Sequence, residues 1–143
     1  MSHASIIPLI GGETIAMQNV FGEKPEYILS YTDFEANDHQ LVEYYNRTVP
    51  YIKLDMGGSA PSRVDVVNTV CPCAGLSSLS FTSGSDNPAN DWMLRAARYV
   101  LENVKPQVFW GENAPRLASK MGEPIVKEMR KMAKEFGYSI SLY

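Results

Sequence analysis

Two cysteines, Cys71 and Cys73, stand on either side of Pro72. A thiolate is a strong nucleophile, and loops that leave buried strands are where nucleophiles are displayed. Cys73 has that position. It opens a Ser-, Gly- and Pro-rich stretch that runs to about Asn90, whereas Cys71 ends the β-branched run before it. The competing reading is a small buried hydrophobe, the fate of most free cysteines. One intervening residue is too short for an ordinary disulfide, and no second Cys or His pair completes a zinc site. His3 and His39 are far apart, with no ligand spacing around them. Glu112 and Asn113 follow the apolar run QVFWG. A carboxyl group leaving such a run has a raised pKa if it is desolvated, which suits a proton donor near neutral pH. The alternative is a cap on the next helix.

Three further turns carry candidate binding groups. Gly11 and Gly12 precede a helical pattern and can bring backbone N–H groups close to a cofactor. Asp33 and Glu35 follow a second apolar run, where acidic residues accept hydrogen bonds from a ribose in nucleotide-binding sheets. Helix N-capping is the alternative for these acids. Asp55 closes a third short run.

The elements that must position these groups alternate along the chain. Apolar runs at residues 5–10, 26–31, 51–54, 64–70 and 107–111 read as strands, and YSISLY at 138–143 as another. Helical patterns lie between them: ETIAMQNVF with Ile15, Val20 and Phe21; HQLVEYYNR; DWMLRAARYVLENV with Met93, Ala96, Ala97 and Val100; and a last one through Ile125, Met129, Met132 and Phe136. Such alternation predicts an α/β fold with a parallel sheet wound on both faces. Ligands in these sheets bind beyond the carboxyl ends of the strands, which is where every candidate turn falls. The stretch from Pro72 to Asn90 is long for a connection, and loops of that length are functional or disordered.

At 143 residues the chain is long enough for one domain and one core, and 45% hydrophobic with 20% charged residues is ordinary globular composition. The net charge of -3 does not suit a protein that grips DNA through its own surface alone. No leader and no membrane-length apolar run is evident, so a soluble, cytoplasmic protein is expected.

Taken in order, the turns carry a specific resemblance. CPCAGLSSLS resembles the Pro-Cys-Gln motif of the DNA (cytosine-5) methyltransferase family, and VKPQVFWGENAPRLAS resembles its Lys-Pro … Glu-Asn-Val stretch. The similarity covers nearly the whole chain and is strongest from about Val64 onward. It implies a Rossmann-like S-adenosylmethionine-dependent methyltransferase sheet, incomplete at its C-terminal end, within a single catalytic and cofactor-binding domain over residues 1–143. Cys73 would then attack carbon 6 of a flipped cytosine, Glu112 would bond ring nitrogen 3, and Asn113 would orient the cysteine loop. S-adenosyl-L-methionine would lie on Ile10, Gly11 and Gly12, meet Asp33 or Glu35 through its ribose and Asp55 through its adenine amine, with Pro72 nearby.

The departures are as definite. The family's Phe-x-Gly-x-Gly-Gly reads Ile7, Pro8, Leu9, Ile10, Gly11, Gly12, so Leu9 stands where the first glycine is expected. Ala74 and Leu76 replace the family's Gln and Phe, Ala114 its Val, and NPANDW its Asp-Pro-Arg-Gly. No Gln-x-Arg-x-Arg motif or target-recognition region is found in these residues. The resemblance therefore implies the N-terminal catalytic portion of a bacterial or phage-type intracellular enzyme of the restriction-modification kind. Its partners would be duplex DNA and a complementary C-terminal chain, or a second copy through self-association, and it would be inactive without them. The alternatives are a catalytically inactive methyltransferase-like binding or regulatory module and an unrelated nucleotide-binding domain.

Overall fold

In the computed structural model, which describes residues 1–72 and 91–143, strands and helices alternate as the patterning predicts. The elements are β1 (His3–Ile6), α1 (Gly12–Phe21), β2 (Ile28–Ser30), α2 (Glu35–Tyr44), β3 (Tyr51–Lys53), β4 (Val66–Thr69), α3 (Asp91–Tyr99), β5 (Val108–Gly111) and α4 (Glu123–Glu135). All pairings are parallel and the spatial order is β3-β2-β1-β4-β5. This is a Rossmann-like α/β sheet. Its order reverses between β1 and β4, the topological switch point beyond which ligands of such sheets sit.

The chain divides into two compact units. The first, Met1–Val70 with Asn103–Gly111, holds the entire sheet. β1, β2 and β4 are buried along their whole length, as parallel strands covered on both faces must be. Alternation then sorts β1. His3 and Ser5 face α1, where His3 meets the Phe21 ring and Ser5 Oγ meets Thr14 Oγ1 at 2.7 Å. Ser5 also donates to Asn68 Oδ1 on β4, so the buried polar groups of three elements are tied together. Ile28, Leu41, Tyr45 and Val49 form a core cluster against which Ile15 and Tyr51 pack. The second unit comprises Cys71–Glu102 and Glu112–Tyr143. Here α3 buries Met93, Ala96 and Ala97, and α4 buries Ile125, Met132 and Ala133. Arg98 reaches Glu135 at 3.4 Å and lies over the Phe136 ring. A π-helical turn, Val100–Val104, extends α3.

Three expectations are corrected. Residues 7–10 are not strand: Ile7 and Leu9 have φ of 48° and 53°, and left-handed residues cannot continue a β-ladder. YSISLY forms no strand: among the described residues the sheet runs from β3 to β5 and does not include it. On α1, Val20 is 78% exposed, and the buried face is Thr14 and Met17. No helix among the described residues is long and apolar enough to cross a membrane.

Candidate functional site

The first unit brings three of the predicted turns to one edge of the sheet, each at the carboxyl end of β1, β2 or β3. The turn after β1 is built from alternating left-handed residues, Ile7, Leu9 and Gly11, the last at φ 89°. Gly11 N–H donates to the Pro8 carbonyl at 3.0 Å, and Gly11 caps α1 without any side-chain bond. The first N–H groups of α1 therefore remain available to a ligand. Gly11 and Gly12 differ in kind. A Cβ on Gly11 would lie 2.5 Å from Leu41 Cδ1, whereas a Cβ on Gly12 would meet nothing within 4 Å. Gly11 is the position where α2 approaches the turn, and Gly12 borders open space. Ile10 between them and the turn's flank is 69% exposed.

After β2, a 3-10 turn at Thr32–Phe34 leads into α2, and Thr32, Asp33, Glu35, Ala36 and His39 line an open groove. The N-cap of α2 is Phe34, with no side-chain capping bond, so Asp33 and Glu35 do not serve as caps. Glu35 pairs with Lys53 at 3.1 Å. Asp33 makes no ion pair with another described residue and is exposed to the groove. Asp55 follows β3 and accepts Thr32 N–H on Oδ1 at 3.0 Å, which fixes the second and third turns together. Met56 beside it is 70% exposed.

Sequence reasoning missed Asp38 as anything more than one of several turn acids. It is fully buried. Its Oδ1 accepts Leu9 N–H at 3.0 Å and its Oδ2 accepts the Tyr51 hydroxyl at 2.7 Å. Desolvation raises its pKa above 3.8, and the Ser30 and Tyr51 hydroxyls and the Leu9 amide lower it by less. Ser30 Oγ lies beside this carboxyl, yet it is buried without a bond of normal geometry. Burial, with a smaller push from the same carboxyl, raises the pKa of the Tyr51 phenol. Asp38 is one carboxylate among four polar residues between 33 and 38, and nothing in its type distinguishes it; only the packing of α2 on the sheet does.

The remaining predicted residues belong to the second unit. Cys71 is a buried thiol, 3% exposed, and is in no disulfide. Pro72 is half-buried. Cys73 and the stretch following it to Asn90 lie outside the described residues. Glu112 is exposed, so the burial on which its reading as a raised-pKa acid rested is absent. The next 3-10 turn, Pro115–Ala118, has Ala114 at its N-cap and no side-chain cap, so Glu112 does not cap it either. Asn113 Oδ1 accepts the Ala114 N–H at 2.7 Å, and its Nδ2 is buried with no partner.

A family model described as C-5 cytosine-specific DNA methylase matches residues 10–143, from the glycine turn through to the last residue. No curated protein matches the chain. A match of this extent places the chain in the C-5 cytosine-specific DNA methylase family.

Proposed function

Taking that membership as premise, we propose that this chain carries the cofactor-binding and catalytic groups for methyl transfer from S-adenosylmethionine to carbon 5 of cytosine in DNA. The observation that carries the cofactor assignment is the edge of the sheet at β1 and β2. There, open space over Gly12 adjoins uncapped α1 amides, with an exposed carboxylate, Asp33, on the next turn. The donor set fits the cofactor: amides for its polar end, a carboxylate for a ribose diol, and exposed Ile10 and Met56 for apolar surface. Of the two acids, Asp33 is the better ribose partner, because Glu35 is held by Lys53. Asp55, which fixes the turn by accepting Thr32 N–H on Oδ1, would meet the adenine amine.

When bound, S-adenosylmethionine supplies an electrophilic methyl group. Cys73 adds its thiolate to carbon 6 of the extruded cytosine and leaves again when the carbon 5 proton is lost. Glu112 holds ring nitrogen 3, taking up the negative charge that addition places on the ring by sharing a proton. Asn113, whose Nδ2 is buried with no partner, would help to orient the nucleophile. With a net charge of -3, the chain shares the task of neutralising DNA phosphates with another polypeptide.

The test is a covalent trap. Duplex DNA containing 5-fluorocytosine, added with S-adenosylmethionine and any complementary chain, should form an adduct that Cys73→Ala abolishes and Cys71→Ala spares. An adduct surviving Cys73→Ala would remove the assignment. No adduct under conditions where S-adenosylmethionine binds would favour a non-catalytic binding module.

A further inference from the structure

The turn after β1 contains two bulky left-handed residues, and they are held by different means. Ile7 is held by the sheet: its N–H donates to the Leu29 carbonyl at 2.9 Å, and its carbonyl accepts Val70 N–H at 3.1 Å. Leu9 lies beyond every strand, and its N–H finds the buried carboxylate of Asp38 instead. A left-handed leucine brings Cβ against the following carbonyl and is unfavourable without compensation. Glycine meets no such penalty, and glycine is what the family pattern shows at this position.

We propose that Asp38 is a positioning residue for the cofactor turn, its buried carboxylate clamping Leu9 N–H so that a leucine keeps the backbone a glycine would adopt unaided. The proposal rests on the reading that this turn carries S-adenosylmethionine. The clamp is rigid from behind. Asp38 lies in the first turns of α2, its second oxygen is fixed by the Tyr51 hydroxyl, and the Tyr51 ring packs on the cluster of Ile28, Leu41, Tyr45 and Val49. Two residues after Leu9, Gly11 leaves no room between the turn and Leu41, three positions along the same helix from Asp38. One helix thus sets the turn twice, by a hydrogen bond at Leu9 and by contact at Gly11. The raised pKa of Asp38 is the counterpart of this arrangement, a carboxyl kept away from water to serve one amide and one phenol.

The experiment uses the 143-residue chain, with calorimetric titration by S-adenosylmethionine and hydrogen exchange at the Leu9 amide. Asp38→Ala should weaken binding at least tenfold and speed Leu9 exchange. Asp38→Asn, which keeps an acceptor for the amide, should stay within about threefold of wild type. Leu9→Gly added to Asp38→Ala should restore most of the affinity, since glycine needs no clamp; loss of general packing would not be repaired this way. Should Asp38→Ala fail to fold, Tyr51→Phe removes only the outer bond and should loosen Leu9 exchange and weaken binding severalfold. Unchanged affinity in Asp38→Ala, no rescue by Leu9→Gly in a folded double variant, or an unchanged Tyr51→Phe would overturn the proposal. A wild-type chain that binds no S-adenosylmethionine would sink the functional reading, while Leu9 exchange would still report whether the clamp exists.

Discussion

Adjacent alanines at Gly11 and Gly12 should have opposite consequences. Gly11 sits at φ 89°, and an alanine there costs about 1–2 kcal/mol for the left-handed backbone. Its Cβ would also lie 2.5, 2.7 and 2.8 Å from the Cδ1, Cδ2 and Cγ of Leu41. Leu41 is 1% exposed and enclosed by Ile28, Tyr45 and Val49, so it cannot swing clear, and overpacking adds about 1–3 kcal/mol. The sum is a loss of roughly 2–5 kcal/mol. Gly12 has helical backbone and an empty Cβ position, so alanine there should leave the fold unchanged or stabilise it by about 0.4–1 kcal/mol through the unfolded chain. The same methyl, placed in the open space over the turn, should weaken S-adenosylmethionine binding at least tenfold. Urea unfolding followed by circular dichroism reads the first effect as a lower midpoint at unchanged slope, and titration calorimetry reads the second. Adding Leu41→Ala to Gly11→Ala should return the overlap part of the loss, about 1–3 kcal/mol of coupling. The reasoning fails if Gly11→Ala costs less than about 1 kcal/mol, a value below the backbone penalty alone. It fails equally if Gly12→Ala binds the cofactor like wild type.

Asp38 sets an acid limb of stability. Its folded pKa is raised, so the native state binds its proton more tightly than the unfolded chain. Stability should therefore fall as pH rises from the ordinary aspartate value of 3.8 through the raised folded value, and Asp38→Asn should flatten that limb in urea midpoints taken across the range. Tyr45 sets an alkaline one: burial, with the Tyr44 phenol adding a smaller push, raises its pKa from 10.0 to about 12, so stability is lost as pH climbs through that interval. The Tyr45 hydroxyl is buried without a partner, so Tyr45→Phe should be stabilising by up to about 1–3 kcal/mol at neutral pH and should reduce the alkaline loss to the part that the raised Tyr51 phenol contributes. A destabilised Tyr45→Phe would show that the hydroxyl is bonded in solution. Finally, Asp33→Ala should weaken S-adenosylmethionine binding more than Glu35→Ala, measured side by side by calorimetry, because Lys53 already holds the latter carboxylate; the reverse order would move the ribose to Glu35.

The architecture was legible because its determinants are local. β-branched and apolar runs such as Val66–Thr69 have no stable alternative to a buried parallel strand, and the helical patterns between them leave only a crossover topology. Reading failed where composition is silent about partners. YSISLY has the residues of a strand, yet the sheet does not include it. Val20 fits a helical apolar face, yet α1 buries the Thr14 and Met17 side because Ser5 offers Thr14 a hydrogen bond beneath it. Leu9 was visible as a departure from a glycine pattern, and taken alone it argues for a damaged cofactor turn. The fold reverses the inference. A left-handed leucine is tolerable when a carboxylate 29 residues away accepts its amide, and that carboxylate is buried on α2, whose Leu41 and the following Tyr45 pack with Ile28 and Val49. Substitution at a glycine position therefore does not by itself report loss of the turn. It reports that the conformational freedom once intrinsic to one residue has become a property of three: Leu9, Asp38 and Tyr51.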